Sequence, residues 1–312
     1  MTTLFYILGY AAVLGFFCMA YIKVKTYLDA TPLHVRWELY PVPHEGEKAA
    51  YGGSFMEETD WWTKPRHVSH WGDVKALLME VLFLHATYEH NRKLWQCSYP
   101  FHFGLYMLMG GTIIMVFAVL AQLFGLPVDG VILTFVGNVI NACSLVGGLG
   151  IAIGGICLIQ RRRHDEGLRR YTTPEMFFNL GIFVVFAVLG LLAWAAAPSF
   201  FTLANTFLLN LFTGNFASLP STMFTLHLLV GFFLMIWIPT SQMGHLFMKY
   251  FTFHDIRWGD VPTNYSEANK HKIAGALKYN VTWSAKHINP DGQAKTWVDV
   301  ATSSGTTPKQ DN

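Results

Sequence analysis

The sequence predicts an all-α fold: an integral membrane bundle of five transmembrane helices, with the N-terminus outside and the C-terminus in the cytoplasm. Three observations predict it. The 312 residues are 52% hydrophobic and only 13% charged, which is too apolar for an ordinary soluble domain. The apolar residues gather in five stretches free of Lys, Arg, Asp and Glu, each long enough to span a bilayer. All 22 Lys and Arg lie in alternate connecting segments, 23–97, 160–175 and 249–312. That is the positive-inside bias, and it fixes the orientation. The net charge of +2 is thereby explained by topology and gives no reason to expect a nucleic-acid partner.

The first span is Leu4–Ile22. It lacks a basic leader and a small-residue cleavage site, so it reads as a retained span rather than a signal peptide. Segment 23–97 opens with Pro32, Pro41 and Pro43 around Trp37–Tyr40 and turns at Gly52-Gly53. Its stretch Gly72–Trp95 places Val74, Leu77, Leu78, Val81 and Leu82 at helical spacing among charged residues. An amphipathic helix at the cytoplasmic interface is expected there. It leads into span two, Tyr99–Leu123, with Pro100 in the expected first turn. Gly125–Gly130 is a tight external turn before span three, Val131–Ile159. Link 160–175 carries Arg161, Arg162, Arg163, Arg169 and Arg170, and span four is Met176–Ala196. Loop 197–220 is uncharged and aromatic, as expected of a segment resting on the outer leaflet. Span five is Ser221–Leu246, and the polar tail ends in an expected disordered stretch, Thr302–Asn312. Residues 1–250 thus read as the membrane domain, with 23–97 as a cytoplasmic insertion and 251–312 as a tail that docks a partner subunit.

Of the four cysteines, Cys18, Cys97, Cys143 and Cys157, no two are close in sequence. Three lie inside spans and read most simply as small apolar side chains. Without a CxxC or CxxCH motif, neither an iron–sulfur cluster nor a covalently attached haem is expected within this chain.

Thirteen histidines occur, and three of them fall within spans: His102, His227 and His245. Intramembrane histidine is costly and marks a functional site. His227 and His245 are eighteen residues apart in the apolar stretch Met223–Lys249. On one continuous helix that spacing puts both on one face, about 27 Å apart. His102 and His245 sit at similar depth near the cytoplasmic surface. If spans two and five are neighbours, their imidazoles can clamp a haem b. Arg161 and Arg162 are placed to meet its propionates, although topogenesis alone also accounts for them. Gly104 and Gly244 flank the two histidines, as room for a flat macrocycle or as ordinary small-residue packing.

His227 lacks an evident partner. Position 112 is Thr112, and Met109 lies on nearly the same face as His102. Four readings stand open: a His/Met haem with Met109, a five-coordinate haem, no outer haem, or a histidine hydrogen-bonded to a threonine or a quinone. A menaquinone pocket near Thr112, His227 and loop 197–220 belongs with these readings. A non-redox membrane anchor or transporter subunit is the competing class. Transporters usually carry intramembrane charges, broken helices or repeats, and neither charges nor a repeat occur here.

The run His90-Asn-Arg-Lys-Leu-Trp, then Phe101-His102-Phe103-Gly104, then His227 and His245 resembles the gamma subunit of respiratory nitrate reductase, a five-span di-haem cytochrome b. The resemblance implies that His102 and His245 hold the cytoplasmic-side haem and that His227 corresponds to an outer-haem ligand. Thr112 stands where that family has its second span-two histidine. The long first cytoplasmic segment and the tail, with Val281–Ile288 and Lys295–Ala301, are similar to the cytochrome b subunits of the Tmc, Hmc and Dsr transmembrane complexes of sulfate-reducing bacteria. That resemblance implies a quinone-reactive electron-transfer subunit of an oxidoreductase complex in the bacterial inner membrane, serving anaerobic respiration. Its implied partners are a cytoplasmic iron–sulfur protein related to heterodisulfide reductase, a periplasmic multihaem cytochrome c and other membrane subunits.

Overall fold

The structure, a computed structural model, describes residues 2–29, 45–50, 57–65, 69–127, 130–245, 266–283, 285 and 293–303. Among these residues it is all-helical, with a single isolated bridge between Asn280 and Thr296. Five helices are long and apolar enough to cross a membrane. The expectations for residues 30–44, 51–56, 246–265, 286–292 and 304–312 lie outside the described residues.

The chain forms two compact units. The first comprises Met1–Lys23 and Lys75–Phe247. It contains most of α1 (Thr2–Asp29), α5 (Arg92–Leu123), α6 (Val131–His164), α8 (Pro174–Ala196) and α10 (Thr222–Thr240). Across both units, the shorter elements α2 (Glu47–Ala50), a 3₁₀ turn at Trp61–Thr63, α3 (His70–Phe83), α4 (His85–His90), α7 (Glu166–Tyr171) and α9 (Phe200–Thr213) complete the described order up to α10. Each long helix is apolar around its circumference, as a helix bathed in lipid can be.

The expected amphipathic stretch Gly72–Trp95 is not one helix. It breaks at Leu84, which holds φ 52°, and again at Asn91. Local capping drives both breaks: the Glu80 carboxylate accepts from the Ala86 N–H, and Asn91 Oδ1 accepts from the Leu94 N–H. The cap at Asn91 starts α5 two turns earlier than expected, so Pro100 lies in the helix interior rather than its first turn. Lacking an N–H, Pro100 leaves the carbonyl four residues earlier without its helical partner.

Helices α5 and α6 approach closely because glycines face each other. A Cβ at Gly104 would stand 2.6 Å from the Gly147 carbonyl oxygen and 2.7 Å from the Ile151 nitrogen. One at Gly154 would stand 2.5 Å from the Phe101 nitrogen. Such backbone contact is how helices associate where lipid removes the hydrophobic drive between them. The packing reading of Gly104 therefore prevails over the macrocycle reading. Gly244 likewise sits against the Ile238 and Pro239 carbonyls of its own turn. From α6 the contacts pass to α8 and from α8 to α10, whereas α5 and α10 have little direct backbone contact. Phe101, Ile151, Leu180, Phe183, Ala187 and Leu234 form the core between them. Cys97 on α5 and Cys157 on α6 are disulfide-bonded, with Cα atoms 5.5 Å apart. Cys157 is thus not the simple apolar filler expected from sequence.

Loop 197–220 contains a helix, α9, capped by Ser199 and ended by Gly214 at φ 69°. Its buried amides are paired, as an apolar medium requires. Asn205 and Gln122 exchange hydrogen bonds of 2.7 and 3.1 Å, and Asn210 donates to the Tyr6 hydroxyl, which donates to the Ala217 carbonyl. Asn141 accepts from the Phe201 N–H, and its carbonyl accepts from Trp194.

The second unit comprises Val24–Val74 and Met248–Asn312. Glu58 bridges Lys48 and Lys64, and these two cations hold its carboxyl below the ordinary range. The tail contributes α11 (Glu267–Ala276) and α12 (Trp297–Thr302). Residues 277–281 and 295–298 are tied by Val281→Lys295, Trp297→Tyr279 and Val298→Leu277 backbone hydrogen bonds; of these, Val281 and 295–298 fall in the two tail segments that carry the sequence resemblance. Thr302, expected to be disordered, closes α12.

Candidate functional site

His102 is carried by the locked helix α5. Its Nδ1 lies 2.8 Å from the Ser98 carbonyl and 3.2 Å from the Ser98 hydroxyl. A carbonyl only accepts, so Nδ1 carries the proton and Nε2 keeps its lone pair.

His245 reaches the same place by a different route. The expected continuous helix through His227 and His245 does not exist. Helix α10 ends at Thr240, one residue after Pro239. Ser241 is extended, its hydroxyl accepts from the Met243 N–H, and Gln242–Gly244 forms a 3₁₀ turn. The same-face argument from the eighteen-residue spacing therefore fails, because the helix ends between the two histidines. The turn nevertheless delivers His245 to His102, with ring centroids 6.1 Å apart and planes at 60°. His245 Nδ1 lies 3.0 Å from the Gln242 carbonyl, which selects the same tautomer as at His102.

Two imidazoles sharing one metal through Nε2 at about 2.0 Å each, with ring centres about 1.1 Å further back, stand about 6.2 Å apart. The observed centroid separation is of that size, and a proton on each Nδ1 leaves Nε2 free for ligation. No group of three or more His, Cys, Asp or Glu side chains able to hold a metal ion occurs among the described residues. Two imidazoles so placed can supply two ligands of a metal, the remaining ligands coming from a macrocycle or from water.

His227 lies elsewhere, near the start of α10, and is buried. Its Nδ1 is 2.9 Å from the Phe186 carbonyl, its ring stacks on Phe186 with centroids 4.1 Å apart, and Phe200 and Phe224 close around it. Gly190 makes the notch for the ring: a Cβ there would stand 2.9 Å from it. Met109 and Thr112 are not brought to it. Met109 is 47% exposed, and exposed Thr112 donates its hydroxyl to the Leu108 carbonyl of its own helix. The buried residues of α5 are Phe101, Gly104, Gly111, Met115, Ala118 and Val119, and neither Met109 nor Thr112 is among them. The ring of His227 is thus engaged by Phe186, Phe200 and Phe224, and its contacts do not include Met109 or Thr112.

Of the two arginines, Arg162 turns to Thr172 and Met176 on the following link, at 3.4 and 3.5 Å. Arg161 keeps a buried Nε with no hydrogen-bond partner. It lies two turns beyond Gly154, which packs on Phe101 beside His102.

Sequence reasoning missed the groups that orient the rings. Ser98 had a signal, standing one helical turn before His102. Gln242 and Gly190 had none, since one depends on the turn after Pro239 and the other on which helix faces α10.

The fold and these histidines define an all-α, multi-pass membrane protein with an imidazole pair at one end of its bundle. No family profile, curated protein or solved structure matches the chain.

Proposed function

We propose that this protein is a cytochrome b-type electron-transfer subunit of a respiratory complex, similar to the nitrate reductase gamma subunit and its relatives in sulfate-reducing bacteria. The observation that carries the reading is the His102–His245 pair, 6.1 Å apart with both Nδ1 atoms on carbonyls. In this reading His102 and His245 would hold one haem b, which would supply one-electron redox chemistry. Ser98 and Gln242 keep Nε2 directed to ligation. The unpartnered Nε of Arg161 is suited to a carboxylate of the group. The core of Phe101, Phe183 and Leu234 excludes water and keeps the local dielectric low.

The chain carries electrons between a quinone pool, or a periplasmic cytochrome c, and a cytoplasmic iron–sulfur protein related to heterodisulfide reductase. The cationic segments lie on the cytoplasmic side of the bacterial inner membrane. Menaquinone is the expected quinone. A second haem at His227 is not part of this proposal, because that ring is packed among phenylalanines with no facing ligand among the residues around it.

A pyridine haemochrome assay on the purified protein tests the reading. Protohaem is expected, and His102→Ala and His245→Ala are each expected to abolish the same b-type absorption component. Absence of protohaem removes the redox function; persistence of the component in either variant removes the pairing.

A further inference from the structure

The Cys97–Cys157 bond has no part in the function above. Cys97 lies in the second turn of α5 and Cys157 in the last third of α6, with Cα atoms 5.5 Å apart, an ordinary disulfide separation. The glycine contacts set that spacing on their own. Gly154 packs on the Cys97 carbonyl and Phe101, and Gly150 on the Pro100 carbonyl. The two sulfurs can therefore join or part while the helix backbones stay in place. Both cysteines are half-buried, and each lies four residues from a cation, Lys93 or Arg161, at the membrane interface where a small thiol can reach them.

The cationic segments 23–97 and 160–175 end and begin at this pair. Under the positive-inside rule it faces the cytoplasm, where disulfides are usually transient and redox-sensing rather than permanent. Cys97 also precedes Ser98, whose carbonyl holds His102 Nδ1 at 2.8 Å.

We propose that Cys97 and Cys157 are a thiol–disulfide exchange site for a cytoplasmic monothiol of the glutathione class, a reversible crosslink of α5 to α6 next to the peptide that orients His102. The reagent thiolate attacks one cysteine sulfur, forming a mixed disulfide and releasing the other cysteine as thiolate. A second reagent thiolate then attacks the reagent sulfur of the mixed disulfide. The protein gains two electrons and, from the two reagent thiols, two protons; the reagents leave as one disulfide. Closure is the reverse. The inference takes only its orientation from the proposed function and needs no haem.

The test uses the full chain in inverted and right-side-out membrane vesicles. Each is poised with oxidised or reduced glutathione, acid-quenched, denatured and labelled with a mass-tagged maleimide. In inverted vesicles, labelling is expected at Cys18 and Cys143 alone after oxidation and at all four cysteines after reduction. Cys97→Ser should give three labels after reduction and, after oxidation, a Cys157–glutathione mixed disulfide with no linked peptide. Right-side-out vesicles should not respond. Four labels in both poises, two in both poises, a linked peptide containing Cys18 or Cys143, or a response confined to right-side-out vesicles would each overturn the proposal. A haem-free preparation giving the expected counts would leave the exchange site standing while the cytochrome reading fell.

Discussion

Replacing Gly104 by alanine adds one methyl where α5 meets α6, and that methyl has nowhere to go. It would stand 2.6 Å from the Gly147 carbonyl oxygen, 2.7 Å from the Ile151 nitrogen and 3.1 Å from the Gly150 carbonyl carbon. All three are backbone atoms, so no side chain can rotate aside. Restoring ordinary contact at about 3.4 Å requires the helices to part by about 0.8 Å. Overpacking of this kind costs about 1–3 kcal/mol. Gly110 supplies the control, because it lies in the same helix and its Cβ would meet nothing within 4 Å. There alanine should gain about 0.5–1 kcal/mol from helix propensity alone. Comparing the two variants cancels propensity and unfolded-chain entropy. The expected difference is therefore the steric term, about 1–3 kcal/mol in favour of Gly110→Ala. Reversible unfolding in mixed detergent micelles, followed by helical circular dichroism, measures it. Equal stability of the two variants would refute the claim that α5 and α6 touch through their backbones. Because Gly104 is two residues from His102, only Gly104→Ala should also weaken the b-type absorption of the proposed pair.

Gly190→Ala should destabilise the protein by about 1–3 kcal/mol, since its methyl meets the His227 ring at 2.9 Å. His227→Ala should suppress that loss in a double-mutant cycle, and strict additivity of the two would contradict the notch. The reciprocal Gln122–Asn205 amide pair should show a coupling of about 0.6 kcal/mol, the membrane average, in a cycle of alanine substitutions. Asp299 accepts from the Thr296 hydroxyl and backbone N–H, and these bonds hold its carboxyl below the ordinary range. A depressed folded value means that the cap is fully present above the ordinary carboxylate range and is lost as pH falls through the lowered value. Amide protection factors in α12, corrected for the intrinsic exchange rate, should therefore fall on acidification, and Asp299→Asn should flatten the response.

The spans were legible because a bilayer imposes one coarse demand, an uncharged run of sufficient length. Val131 and Ala196 bound their helices where the sequence placed them. The helix ends were less legible, since caps settle them and apolarity does not. Asn91 extends α5 backward by two turns, and Ser241 ends the last long helix before His245. Helix α9 was hidden by its aromatic, uncharged composition, which reads equally as an outer-leaflet loop; its Ser199 cap and Gly214 stop were the overlooked signals. At the site, the depth of His102 and His245 was readable, and their proximity was not. Depth follows from distance to the cationic flanks. Proximity depends on the α5–α6–α8–α10 order of contacts, which no local pattern encodes.

The break in the chain's helix between His227 and His245 changes what the pair can do. On a continuous helix both ligands would be equally rigid, and their separation would follow from how two rods pack. Instead the two sides differ. His102 sits on a helix whose position against α6 is fixed by backbone contact at Gly104 and Gly154. His245 follows a 3₁₀ turn held by the Ser241 cap and by Gly244, where a Cβ would stand 3.1 Å from the Ile238 carbonyl. Few residues need to shift for that turn to adjust, whereas any movement of His102 must carry α5 with it. A metal group entering between the rings would thus be registered against α5, with the 241–245 turn closing on it from the other side. This division also explains why α5 and α10 need little direct contact: α6 and α8 set the distance between them, and the imidazoles span what remains.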